Sequence, residues 1–248
     1  MKIKIHNTLS DLKIDPSHGI DLSIPISRDG DTVNAYSIPS PKIEPLSIGD
    51  FIGSKADGGP VNCENIFFNP HGNGTHTECY GHISKPEKVY LHDCLKTFWF
   101  TAQVIEVVPE KLGDDLVIGL SHIKSKILTG TESLIIRTLP NENSKKIKQY
   151  SGTNPVYFTA EFMEYVVKNK IKHFLTDLPS VDKEEDAGAL VAHHIFWDYP
   201  KNVRKDCTIS ELLYIPNNVK EGRYVLNLMI AGFNSDASPS KPVIYPIL

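Results

Sequence analysis

The sequence predicts a mixed α/β class, an α+β layered domain, and three observations carry that prediction. Segments rich in β-branched and aromatic residues recur along the chain. A helix-spaced apolar segment with its own N-cap residue lies between two of them. No repeat, low-complexity tract or linker interrupts residues 1–248, so they are expected to form a single domain.

The elements follow in order. Residues 20–24 (IDLSI) alternate with the period of two that marks a half-buried strand, and Pro25 ends the run. Residues 29–60 are rich in Pro, Gly, Ser and Asp and are expected to be irregular, as segments that cover binding sites often are. Residues 98–108 (FWFTAQVIEVV) and 134–138 (LIIRT) read as strands, the second closed by Pro140. Thr159 is a candidate N-cap for AEFMEYVVKNK, where Phe162, Tyr165 and Val166 keep the i, i+3, i+4 spacing of a helix packed on a sheet. Strands are expected again at residues 172–175 and 224–231, the latter ending at Gly232.

Composition narrows the function. The 248 residues are 40% hydrophobic and 23% charged, with a net charge of −4, so no clustered basic surface recommends a nucleic-acid partner. Lys145, Lys146 and Lys148 sit among Asn and Ser and read as a solvated loop; Lys201, Arg204 and Lys205 read as a solvated face. No run approaches the roughly 18 apolar residues of a membrane span, and the N-terminus lacks the pattern of a secretory signal. A cytoplasmic protein without membrane contact is the expectation. Cys63, Cys79, Cys94 and Cys207 form no C-x-x-C pair, which argues against a four-thiolate zinc site and suits free thiols.

The informative stretch is residues 69–83, NPHGNGTHTECYGHI. It gathers His71, His76, Glu78 and His82 within twelve residues, although the chain has ten histidines in all. Pro70, Gly72 and Gly74 predict a tight turn running into extended chain. There, residues two apart share a face, so His76 and Glu78 point together while Cys79 points away as a small buried hydrophobe. Imidazole and carboxylate converging in this way can hold a divalent ion such as Zn²⁺ or Mn²⁺. A lone histidine is more often satisfied by backbone; four ligand-type side chains among glycines point to a site. H-x-E-x-x-x-H is not the helical H-E-x-x-H of zincin proteases, and no G-x-S-x-G elbow occurs. Cys79 beside His76 and His82 is the weaker nucleophile reading, and Ser180 near Asp182 reads as turn chemistry.

The segment GTHTECYGH resembles the signature of the cyclase family, which includes bacterial kynurenine formamidase and isatin hydrolase. Gly74-Thr75-His76 fits, and His82 falls at the matching distance. Glu78 stands where the family usually has Asp, His71 lies one residue farther from His76, and Tyr80 replaces the usual Pro. Residues 20–23 are similar to the family's opening strand, residues 174–182 (FLTDLPSVD) to its G-x-D-x-x-S-x-D turn, and Ala237-Ser238-Pro239 to its closing loop. The resemblance implies a swivelling β/β/α architecture, with His71, His76, Glu78, His193 and Glu211 around one or two Zn or Mn ions. It also implies His82 off the metal as general acid/base, and a homodimer or larger homo-oligomer. His194 competes with His193; in a helix over residues 187–197 only one can face the metal, and the family register favours His193.

The expected activity is hydrolysis of an amide, formamide, lactam or ester of a small molecule, arylformamidase-like, by a metal-activated water. The alternatives are a non-catalytic metal- or small-molecule-binding protein on the same fold and a cyclase that closes a ring by dehydration.

Overall fold

The computed structural model describes residues 3–6, 11–28, 32–85 and 88–248, with side chains from residue 11 onward. Its strands and helices run in the order β1 (Ile3–His6), β2 (Asp11–Ile14), β3 (Ile20–Asp21), β4 (Lys42–Pro45), β5 (Ser47–Ile48), β6 (Phe51–Ile52), β7 (Glu64–Phe67), α1 (Pro70–Asn73), β8 (His76–Glu78), α2 (Leu91–Cys94), β9 (Trp99–Val107), β10 (Glu110–Leu112), β11 (Asp115–Ile118), β12 (Ser133–Thr138), β13 (Tyr157–Phe158), α3 (Ala160–Lys168), β14 (His173–Thr176), α4 (Val191–Trp197), β15 (Thr208–Glu211), β16 (Gly222–Ile230) and β17 (Ala237–Pro246). The expected α/β mixture is therefore present, with strands dominant.

The main sheet has the order β16-β9-β12-β14-β15-β8-β17-β3. Strands β9, β12, β14 and β15 are parallel, while β8 runs antiparallel to both β15 and β17. β17 also pairs with β16 over Ser240–Pro246, so the sheet closes on itself and β3 attaches to β17 from outside the ring.

The parallel strands are buried on both faces, which is why β12 and β14 are continuous runs of buried residues. Alternate side chains feed two cores. Leu134, Ile136, Phe174 and Ile209 pack against Phe162, Met163, Val166 and Phe196 of the helices; Ile135, Leu175, Val104 and Leu226 pack inside the ring. Thr159 caps α3 as expected, its hydroxyl accepting the Phe162 N–H. The buried stripe of α3 is Phe162, Met163 and Val166, with Tyr165 at its edge. At α4 the cap comes from a distance: the Asp182 carboxylate accepts the N–H groups of Ala192 and His193 at 2.7 and 3.1 Å.

Three expectations need correction. Residues 29–60 are not uniformly irregular: residues 32–60 contain β4, β5 and β6, and β4 and β7 form a two-stranded ribbon whose residues are mostly exposed; residues 29–31 lie outside the described residues. Lys145 is not solvated, because its ammonium reaches the buried carboxylate of Asp177 at 2.8 Å. Arg204 is not simply a surface cation: it donates to the carbonyls of Phe196 and Ile171 and lies over the Phe196 ring.

Candidate metal centre

The histidine segment is held by the sheet. Thr75 anchors it, donating to the Leu212 carbonyl at 2.5 Å and accepting the Ile24 N–H at 2.7 Å. β8 then lies between β15 and β17, with His76 opposite Glu211 and Glu78 opposite Ile209. The extended backbone puts His76 and Glu78 on one face, and Cys79 turns away into the ring's core, as the spacing predicts. The extra residue between His71 and His76 is taken up by the single helical turn α1, capped by Asn69, whose side chain accepts the His71 N–H. Gly72 is required there because a Cβ would sit 2.9 Å from the Ala35 carbonyl oxygen.

All five expected ligands meet. His76 Nε2 is 3.4 Å from Glu211 Oε2, His193 Nε2 is 3.1 Å from Glu78 Oε1 and 3.9 Å from Glu211 Oε1, and His71 Nδ1 is 3.2 Å from Glu78 Oε2. His76 and Glu78 are 0% exposed, His193 2% and Glu211 3%, so four of the five are sealed from solvent. His82 stands at the rim with its Nδ1 3.7 Å from Glu78 Oε2 and its ring 4.5 Å from that of His71. His194 turns out of the site and lies 3.1 Å from the Tyr199 carbonyl through Nδ1, so the helix separates the two histidines as the 100° step requires.

Two residues of the cluster were not assigned to it from the sequence: Asp182, read with Ser180 as turn chemistry, and Asp236. Asp182 lies 2.6 Å from His193 Nδ1, besides capping α4. Asp236, in the loop before β17, lies 3.0 Å from His71 Nε2 and 3.4 Å from His82 Nδ1. Asp182 ends the segment 174–182 that resembles a family motif, and Asp236 immediately precedes the Ala237-Ser238-Pro239 that resembles the family's closing loop. Tyr36, which the irregular N-terminal stretch left unassigned, donates its hydroxyl to the Pro179 carbonyl at 2.9 Å.

The charges are arranged to be neutralised. Burial alone would depress His71 and His193, but the carboxylates of Asp236 and Glu78 beside the one, and of Asp182 and Glu78 beside the other, raise both to about 10. Burial also opposes ionisation of Glu78, yet His82, His193 and His71 hold it well below the usual carboxylate range. Asp182 and Asp236 are lowered likewise by their histidines, against the cost of burial. Burial, with Glu211 and Glu78 nearby, pushes the Tyr36 hydroxyl well up.

The residues fit a divalent cation. His76 Nε2 and Glu78 Oε2 are buried polar atoms without a well-aligned hydrogen bond among the described residues, their neighbours being Glu211 Oε2 at 3.4 Å and His71 Nδ1 at 3.2 Å, a costly state unless an electrophile lies between them. Each ligand imidazole also has its other nitrogen held: His76 Nδ1 at the Gly74 carbonyl, His193 Nδ1 at Asp182 and His71 Nε2 at Asp236. Donor atoms about 2.1 Å from one ion lie roughly 3.0–3.4 Å apart, the spacing seen between most neighbouring donors here. His71, His76 and Glu78 offer atoms within 4.8 Å of one another, as do Glu78, His82 and His193.

The Cyclase family model matches residues 20–183, which include the histidine segment and Asp182. The chain belongs to the cyclase family. Across the family, it is 23% identical over 237 residues to kynurenine formamidase from Bacillus cytotoxicus, covering 93% of this chain and 99% of that one. Its fold is shared with an isatin hydrolase bound to the product analogue thioisatinate, at a TM-score of 0.65 and 16% identity over 93% of this chain and 92% of the other. It is shared too with a predicted metal-dependent hydrolase from Bacillus stearothermophilus, at a TM-score of 0.62 and 16% identity over 92% and 97% of the two chains. No helix among the described residues of this cyclase-family member is long and apolar enough to cross a membrane.

Proposed function

We propose that this chain is a metal-dependent hydrolase that cleaves the C–N bond of a small formamide, lactam or amide, or the corresponding ester, with arylformamidase-like specificity. The observation that carries this reading is the pair of buried atoms without a hydrogen bond among the described residues, His76 Nε2 beside Glu211 and Glu78 Oε2 beside His71, with His193 on the other Glu78 oxygen. The names of its relatives, a kynurenine formamidase and isatin hydrolases, support the same reaction class.

His71, His76, Glu78, His193 and Glu211 would hold one or two Zn²⁺ or Mn²⁺ ions. A bound ion would polarise the substrate carbonyl and make water acidic enough to attack near neutral pH. The side chains do the rest. His82, half-exposed at the rim, takes a proton from the attacking water and returns it to the leaving nitrogen or oxygen, a task suited to imidazole. Glu211 is fixed by the Val181 N–H at 3.0 Å, so the cage is preorganised. Beside α1, a cavity of about 510 Å³ has Ile38, Pro39, Phe67 and Phe68 as an apolar wall suited to an aryl group and Lys42 and Glu44 as charged lining. Phe68 pairs with Phe233, at 6.2 Å between ring centroids, linking that wall to the loop that carries Asp236.

The test is metal analysis of the purified chain, followed by a screen of aryl formamides, cyclic amides and esters with Zn²⁺ and with Mn²⁺. Bound metal with turnover of at least one class is the expected result. Analysis of the products separates hydrolysis from ring closure by dehydration. Tight metal binding with no turnover across the panel would leave a binding protein instead.

A further inference from the structure

The loop that carries Asp236 is built into the site. The Asp236 carbonyl accepts the Cys79 N–H at 3.0 Å, and the Ser235 carbonyl accepts the Leu91 N–H at 2.8 Å. Its carboxylate is committed as well: Oδ1 accepts from the Ser235 hydroxyl at 3.2 Å, while Oδ2 faces His71 Nε2 at 3.0 Å and His82 Nδ1 at 3.4 Å. Gly81 keeps the approach open, because a Cβ there would lie 3.2 Å from Asp236 Cβ and 2.5 Å from the Val89 carbonyl oxygen. Residues separated by 154 and 165 positions thus meet on one oxygen atom.

We infer that Asp236 is a positioning residue that sets two imidazoles at once, an inference that rests on the hydrolase reading above. By accepting Nε2–H of His71, it leaves the Nδ1 lone pair of that ring directed at the Glu78 side of the cage. By accepting Nδ1–H of His82, it leaves Nε2 of that ring as the nitrogen that exchanges protons with substrate. Which nitrogen carries a proton follows from its partners. A carboxylate behind a ligand imidazole fixes its tautomer and orientation and is worth about 10–100-fold in metal affinity or activity. Here the same oxygen serves the metal ligand and the acid/base group, so ligand geometry and proton transfer are linked through one side chain.

The experiment compares wild type with Asp236→Ala and the near-isosteric Asp236→Asn, folding being checked by circular dichroism. Calorimetric titration of the metal-free chains with Zn²⁺ is expected to show unchanged stoichiometry and affinity about 10–100-fold weaker in Asp236→Ala. A long-range proton–nitrogen correlation spectrum of the zinc-loaded chains is expected to show single ring tautomers for His71 and His82 in wild type and mixtures in the variant. With a substrate from the screen, kcat falls while KM changes little, and Asp236→Asn, which keeps one acceptor, recovers part of the loss. Wild-type affinity and unchanged tautomers in Asp236→Ala overturn the inference alone. Loss of a whole equivalent of zinc overturns it in favour of direct ligation by Asp236. A wild-type chain that binds no zinc overturns the hydrolase reading and this inference together.

Discussion

The two halves of the site contrast in how their atoms are satisfied. In the inner half, His76, Glu78, His193 and Glu211 come from two neighbouring strands and one helix, are sealed from solvent, and leave His76 Nε2 and Glu78 Oε2 without a hydrogen bond among the described residues. In the outer half, His71, His82 and Asp236 come from turns and a loop, keep side-chain exposures of 21, 29 and 31%, and engage one another. The inner half is rigid and electronically incomplete, which suits holding a cation. The outer half is hydrated and already paired, which suits moving protons and admitting substrate. Glu78 belongs to both, since its two oxygens face His193 on one side and His71 on the other.

The sharpest way to break this contrast is His76→Ala. The variant is expected to lose its metal and with it detectable turnover. A thermal-unfolding assay reads the same point, because an ion at a hundred times its Kd stabilises the folded chain by about 2.7 kcal/mol. Zinc or manganese should therefore raise the melting temperature of wild type and not of the variant, and normal metal content in His76→Ala sinks the ligand assignment. His82→Ala tests the other half. Metal content should stay at the wild-type level while kcat drops by about 10²–10⁴-fold, the usual worth of a general acid/base; loss of metal would move His82 into the inner half.

Smaller effects sharpen the boundary. Glu78→Asp restores the residue usual in the family but draws the carboxylate back by one methylene. In a chain whose His71 is set one residue farther away, about tenfold weaker metal binding is expected, or about 1.4 kcal/mol by titration; tighter binding would mean that the longer side chain is no adaptation to the His71 shift. The last prediction lies outside both halves. His173 is buried at the start of β14, packs at a tilt against the Phe100 ring and lies 2.9 Å from the Thr208 hydroxyl, and burial lowers it to about 3. Its unfolded form binds a proton more readily than its folded form, so its contribution is complete above pH 6.5 and is lost as pH falls toward 3. Denaturant unfolding between pH 7 and pH 4 should show wild type losing up to about 1.4 kcal/mol more per pH unit than His173→Gln. Parallel profiles would remove His173 as the cause.

Much of this was legible because burial on two faces writes itself as unbroken apolar sequence. Residues 98–108, 134–138 and 224–231 each became a strand of the main sheet, and Thr159 capped the helix expected after it. Whereas His193 and Glu211 came only from the family resemblance, whose register favours His193 over His194, His76 and Glu78 were legible from type and spacing. Ring closure was not, since β17 owes its place to pairings with β8 and β16 that leave no local signature. Short exposed ribbons such as β4 and β7 carry turn-like composition and read as loop. Lys145 and Arg204 read as solvated because charge runs usually are, and their buried partners lie far away in sequence. Asp236, within Asn-Ser-Asp, looks like any turn aspartate until the fold sets it against two histidines.

The placement of β8 between β15 and β17 sets an order for biosynthesis. The strand that bears His76 and Glu78 is synthesised well before one of its two flanking neighbours, β17 at residues 237–246. Until β17 emerges, the nascent chain holds His76 and Glu78 on a strand that lacks one of its two neighbours. A cation held between them would be secured only after that pairing forms.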